Sequence, residues 1–339
     1  MSIYRPPRAV SLTSRRRVVL AAGFALLIAS LPSHGQSPRT PRIGFLWFAS
    51  KDDSSTVQYL AAFRQRLAAL GYVEGKNIVI EQRSADARPE RLAELARELV
   101  ASKVDVIVSP AVAASAAARQ ATSTIPIVMV NAGDPVGAGL IASLPRPGGN
   151  VTGTANLLLG GKQVELMRDL VPRATRLVVL VNPSNAGASQ YIKDATAAAR
   201  SFNLAVSVAE VTQPEDFPSV FATIRNLRPD GLLVMTEPLI GAHRAEVIAF
   251  AASARLPASY DSGGFVREGG LVSYGPRQIE HYAIAASYVD SILKGAKPAD
   301  LPVQQPMSFD LLVNMKTAKA LRLAVPQSVL QRAVEVVYE

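Results

Sequence analysis

From residue 42 to residue 255 the chain alternates short apolar runs with stretches whose apolar positions recur every three or four residues. "RIGFLWF" (42–48), "NIVIEQR" (77–83), "VDVIVS" (104–109) and "IPIVMV" (125–130) are short, β-branched or aromatic runs, and they predict strands. Between them, Leu60, Phe63, Leu67 and Leu70 fall at helical spacing, and so do Leu92, Leu95, Ala96, Leu99 and Val100. The alanine-dense segment 111–121 is a strong helix former. After residue 160 the rhythm restarts. Helices are expected over 161–170, 186–201, 214–227 and 242–255, with strands at "RLVVLVN", "LAVSVAEV" and "DGLLVM". Strand–helix alternation of this length argues for parallel sheets with right-handed crossovers. Continuous apolar strands, without a polar face, are what sheets covered on both sides require. The expected fold class is therefore α/β, with two doubly wound parallel-sheet lobes.

The segment between the two rhythms is "DPVGAGLIASLPRPGGNVTG" (134–153), with five glycines and three prolines. Proline fixes φ and glycine frees it, so a joint between rigid bodies is expected here, a plain surface loop being the alternative. A dinucleotide loop does not fit. Gly137 and Gly139 lack the third glycine, and the fingerprint belongs after the first strand of a unit.

Composition changes the picture at the N-terminus. Residues 1–35 hold five arginines and no acid, then an apolar stretch from 18 to 31, then the small-residue exit "LPSHGQS". This reads as a secretory signal peptide over 1–35, cleaved near Gly35. "SRRRVVL" fits a twin-arginine export signal, and an ordinary arginine-rich leader equally well. Without that segment 31 basic residues face 27 acidic ones, against a whole-chain net charge of +9. No basic cluster with interleaved aromatics remains, which argues against nucleic-acid binding. The chain has no cysteine, so disulfides, thiolate chemistry and a lipidated cysteine are excluded. The expected location is the periplasm.

Ligands of open α/β sheets bind beyond the carboxyl ends of the strands. Those ends are small and polar here: "FASK", "SPAVAAS", "NAGDP", "NPSNAG", "TEPL" and "SYDSGG". Backbone N–H groups at helix starts suit a carboxylate, while Asp134, Glu237 and Asp261 suit an ammonium. Trp47, Tyr260 and Tyr274 offer stacking surfaces. No catalytic residue is expected. His243 and His281 lack a partner at metal-ligand spacing, and neither a G-x-S-x-G elbow nor a phosphate-binding loop occurs. Asp52 and Asp53 read as solvated loop charges. No cofactor and no metal are expected.

Several longer stretches carry a resemblance: "LGYVEGKNIVIEQR", "RLAELARELV", "DPVGAGLIASLPRPGGNVTG", "GGLVSYGP", "YVDSILKGAKPADLPVQQP" and "NMKTAKALRLAVPQSVL". Over residues 42–339 the chain resembles the solute-binding proteins of ABC importers often labelled tryptophan/tyrosine transport substrate-binding proteins. That resemblance implies a periplasmic-binding-protein-like fold of type I, with lobes of residues 40–150 plus 276–304 and 151–275 plus 305–339, joined by three crossings as a multi-strand hinge. Segment 134–140 would be the first crossing and "SYGP" (273–276) a return. Ser109, Ala111, Asp134, Asn182, Ser184, Glu237, Tyr260 and Asp261 would line the ligand site. "VSPAVAAS" and "VNAGDPV" depart from the threonine- and glycine-rich versions usual there. The implied partners are a small organic solute and the permease subunits of an ABC importer, met by a monomer. A ligand-sensing lobe for a membrane receptor, or an exported enzyme of small acids, are the competing readings.

Overall fold

The computed structural model describes residues 1–4, 39–305 and 308–338. The chain divides into two units, Met1–Arg39 and Thr40–Glu339. The expected signal peptide, apart from residues 1–4, lies outside the described residues. The second unit holds both sheets.

Its first sheet is parallel, in the order β2-β1-β3-β4-β5. The strands are β1 (Arg42–Trp47), β2 (Val79–Ser84), β3 (Val106–Pro110), β4 (Ile127–Ala132) and β5 (Val151–Ala155). The helices between them are α1 (Ser54–Ala69), α2 (Leu92–Ala101) and α3 (Ala111–Ala121). The next stretch contains α4 (Gly160–Leu170), β6 (Arg176–Val181), α5 (Ala188–Ser201), β7 (Ala205–Glu210), α6 (Phe217–Leu227) and β8 (Gly231–Val234). It continues with α7 (Pro238–Ala242), α8 (Arg244–Ser253), β9 (Ala258–Tyr260), α9 (Gly263–Arg267) and β10 (Val272–Pro276). After α10 (Gln278–Leu293), the chain ends in β11 (Phe309–Asn314), α11 (Met315–Ala320), α12 (Gln327–Leu330) and β12 (Glu335–Val337). The second sheet runs β12-β11-β10-β9-β8-β6-β7.

The unbroken apolar strands are explained by cores on both faces of each sheet. In the first lobe Phe45, Val106 and Val128 face Phe63 of α1 and Val289 of α10. Leu46, Ile107 and Met129 face Leu99 of α2 and Ala118 of α3. In the second, Val179 and Leu233 pack under Tyr191 of α5, whereas Leu180 and Val234 pack against Phe217 of α6 and Phe250 of α8. Three strands depart from the expected pattern. β2 and β7 are edges with little burial, and β10 pairs with β11 antiparallel.

The glycine–proline segment does not cross between lobes, contrary to the sequence expectation. β5 pairs with β4, Ile127 opposite Val151 and Met129 opposite Gly153, so both ends of the segment belong to the first sheet. The first lobe therefore extends to Ala155 rather than ending at 150. Gly153 sits at φ +129°, and a Cβ there would overlap the Met129 carbonyl oxygen. Between the strands, Leu140 and Ile141 drop into the first lobe's core, and Asp134 caps its own turn. The chain leaves the first lobe over 156–159, returns at Arg277, and leaves again after Gln304. These crossings run side by side. Ala155 N–H donates to the Gln304 carbonyl (2.9 Å), and Arg277 N–H donates to the Ser308 carbonyl (2.9 Å).

Candidate functional site

The carboxyl ends of β1, β3 and β4 face those of β8 and β9 across a cavity of about 200 Å³. That exceeds the ~150 Å³ cavity able to hold a benzene ring.

The wall from the first lobe is aromatic. Trp47 ends β1, Tyr59 projects from α1 and Tyr282 from α10. Tyr282 stacks on both, with ring centroids 5.9 Å from Trp47 and 4.6 Å from Tyr59. The Trp47 indole N–H donates to Gln82 Oε1 (3.1 Å), which fixes the ring's orientation. Burial, reinforced by Asp53, pushes the Tyr59 hydroxyl up to about 12. Beside the rings, Ala111 and Asn131 hold left-handed backbone, at φ +63° and +54°. Asparagine tolerates this conformation and alanine does not, so Ala111 is a strained residue in the cleft lining. It starts α3, whose first-turn N–H groups have no partner within the helix. Ser109 and Ser115 brace this turn, their hydroxyls 2.9 Å apart.

The wall from the second lobe is acidic. Glu237 caps α7, its Oε1 accepting from Ile240 N–H (2.8 Å) and its Oε2 from Asn182 Nδ2 (3.3 Å). Asp261 Oδ1 accepts from Thr236 N–H (3.0 Å). Burial raises the Glu237 carboxyl above its ordinary range. Asp261 is half-buried in the cavity lining, and burial pushes its carboxyl up to about 7, with Glu237 adding to the shift. Among the described residues, neither of these acids has a cationic partner. Two buried acceptors are also unpartnered here, Asn131 Oδ1 and Asn156 Oδ1. Unmet buried acceptors call for a donor, because leaving them unpaired costs about 1–3 kcal/mol each.

Of the residues singled out from sequence, the fold brings Ala111, Glu237 and Asp261 to the cavity. Asn182 stands one step behind, holding Glu237. Ser109 and Tyr260 are fully buried and turn away from the cavity, because alternate strand residues point into opposite layers. Tyr260 stacks instead on Phe265, with centroids 4.5 Å apart. Asp134 Oδ1 accepts from Gly137 N–H (2.9 Å), away from the cavity, and Ser184 is exposed. Trp47 lines the site, whereas Tyr274 stacks on Phe309 outside it. His281 is buried beside Thr154 (2.9 Å), and burial takes its imidazole down to about 4.

Sequence reasoning missed Tyr59, Tyr282, Asn131, Asn156, Asp53 and Arg244. Asp53 is no solvated charge: it caps α1 and pairs with Arg244 of the other lobe at 3.0 Å. The run Asp53-Ser54-Ser55 before an apolar period is a legible cap signal; its partner is not.

A family model described as ABC transporter substrate binding protein matches residues 49–337. A tyrosine-binding protein of Clostridioides difficile is 29% identical over 259 residues, 76% of this chain and 75% of the relative. A crystal structure from Streptococcus pneumonia in complex with L-Trp is 28% identical, with a TM-score of 0.83 over 88% of this chain and all of that one. A conserved domain protein of Vibrio cholerae is 29% identical at TM-score 0.81, covering 88% of this chain and 99% of its own. The relatives with a stated role are binding proteins rather than enzymes.

Proposed function

The chain belongs to the ABC transporter substrate binding protein family, and on that premise we propose that its solute is an aromatic amino acid held between the lobes by its ring and its ammonium group. As a substrate-binding protein of an ABC transporter it works with a permease and outside the cytoplasmic membrane. In this reading residues 1–35 are removed on export, by the general secretory or the twin-arginine route, and a monomer carries the solute through the periplasm.

One observation carries the choice of solute: two carboxyls without a cationic partner among the described residues, Glu237 and Asp261, share a cavity with the stacked Trp47, Tyr282 and Tyr59. An ammonium among these acids and the unpartnered oxygens of Asn131 and Asn156 forms charge-assisted hydrogen bonds. The ring lies along the first lobe's wall. The solute's carboxylate meets the positive end of α3 beside Ala111. Closure excludes water and strengthens each polar contact. A solute favours closure only by binding the closed form better, and micromolar affinity supplies about 8 kcal/mol for that bias. The tyrosine-binding relative and the L-Trp complex point to the same solute class.

Calorimetry tests this. L-tryptophan or L-tyrosine is expected to bind at micromolar affinity, with indole-3-propionate, which lacks the ammonium, bound at least about 100-fold more weakly. Absence of binding by tryptophan, tyrosine and phenylalanine alike, with stabilisation by a sugar or a dicarboxylate, overturns the assignment.

A further inference from the structure

Arg244 is the cavity's cation, and it is already engaged from three sides. Its Nε donates to Glu268 Oε1 (2.6 Å), its Nη1 to the Gly241 carbonyl (3.3 Å), and its Nη2 to Asp53 Oδ2 (3.0 Å). The first two partners belong to the same lobe as Arg244; Asp53 belongs to the other. Asp53 is equally constrained. Its second oxygen, Oδ1, accepts from Ser55 N–H (2.9 Å) and Thr56 N–H (3.3 Å) as the cap of α1. The lobes come close at this point: a Cβ on Gly264 of the second lobe would sit 3.9 Å from Ser55 Oγ.

We propose that Asp53 and Arg244, on opposite walls of the cavity, form a clasp between the lobes that sets how long the solute stays bound. The clasp rests on the trapping function and not on the identity of the solute. An ordinary surface ion pair contributes little, because two long side chains must be ordered to make it. Here both partners are ordered before they meet, Arg244 by Glu268 and Gly241, Asp53 by the helix it caps. Their side chains are only 17% and 22% exposed, so solvent screens the pair less. Ordering that is already complete in each lobe leaves most of the attraction to act on closure. Arg267, the neighbouring cation, is occupied by Glu335 at 2.6 Å and does not compete for Asp53. The pair exists only when the lobes are together, so it acts on the closed state and on escape from it. Affinity changes of this kind fall mainly on the dissociation rate.

The test uses Arg244→Gln and Asp53→Asn, since asparagine remains a good helix cap. Stopped-flow fluorescence with L-tryptophan is expected to show dissociation about tenfold faster in each variant, with association changed less than about twofold. The double variant is expected to dissociate no faster than either single one, because both remove the same contact. Additive effects, or unchanged dissociation, overturn the clasp. So does a loss in Arg244→Gln confined to L-tryptophan and absent with tryptamine, which would make Arg244 a carboxylate ligand. A second readout needs no solute. The chain has no cysteine, so spin labels at Gln65→Cys on α1 and Ala252→Cys on α8 report the distance between lobes directly. Both clasp variants are expected to move the ligand-free distribution toward longer distances; an unmoved distribution counts against the clasp even if L-tryptophan proves not to be the solute.

Discussion

The two walls of the cleft are built on the same parallel five-strand order, extended in the second lobe by β11 and β12, and solve different problems. The first lobe presents rings and backbone: Trp47, Tyr59 and Tyr282 beside the strained turn at Ala111. The second presents carboxyls at strand ends, Glu237 and Asp261, each steadied by backbone N–H groups. The rings are largely satisfied before a solute arrives, stacked on one another and, for Trp47, hydrogen-bonded. The acids are not; burial in the second lobe's wall opposes their charge and raises both carboxyls above the ordinary range. One wall supplies a shape that changes little on binding. The other holds unfavourable charge that a cationic group relieves. Affinity is therefore expected to respond steeply to changes in the acidic wall and gently to changes in the aromatic one.

The largest expected effect tests whether the walls depend on the backbones beneath them. In each lobe a strand next to a crossing carries a glycine with no room for a side chain. A Cβ on Gly153 would overlap the Met129 carbonyl, and one on Gly275 would overlap the Asp261 carbonyl. Gly153→Ala and Gly275→Ala should each cost about 3 kcal/mol or more in chemical denaturation. Only Gly275→Ala displaces Asp261, so in material that still folds it alone should abolish solute binding by calorimetry.

Next comes the charge itself. Asp261→Asn should weaken L-tryptophan binding about 100-fold, the scale of a lost hydrogen bond to a charged group. The same variant should unfold at a higher temperature than the parent at about pH 8 without solute, because a buried charge has been removed. Equal or tighter binding by Asp261→Asn would place the ammonium elsewhere.

The same carboxyl fixes the sign of a smaller, pH-dependent effect. Its folded pKa, about 7, lies above the ordinary value of 3.8, so between those limits the folded protein holds a proton that the unfolded chain has lost. Stability from this group is complete below about pH 4 and declines as pH rises toward 7. The melting temperature without solute should accordingly fall across that window, more in the parent than in Asp261→Asn. Solute affinity should rise over the same window as the carboxylate forms. Parallel slopes in the two proteins would remove Asp261 as the source.

The smallest effect belongs to the aromatic wall. Tyr59→Leu keeps an apolar surface but loses the stacked partner of Tyr282, and should weaken binding about fivefold. If it matched Asp261→Asn in size, the contrast between the walls would fail.

What is legible in the sequence is local. Runs such as "IPIVMV" show no alternation of polar and apolar positions because both faces of their sheet are covered, and a covered strand needs nothing from outside its own few residues to be recognised. Helix periods at Leu92–Leu99 and the cap at Asp53 are equally local. Strand ends are where topology places ligands, so Glu237 and Asp261 can be found from order alone. Tyr260, one residue from Asp261, escapes the same logic, since a single step along a strand reverses the side chain's face. Val151–Ala155 escapes it too, because its place is decided by the β4 edge rather than by its own glycine and threonines.

By itself, then, the amino-acid order determined the alternation of elements, the two-lobe α/β class and the chemistry gathered at the strand ends. Only the tertiary structure decided which segments cross between lobes, which rings meet, and that Asp53 pairs with Arg244 from the far side of the cleft. The reason is physical: hydrophobic period and capping act within a turn or two of chain, whereas strand order and closure depend on long-range surfaces that no short window contains.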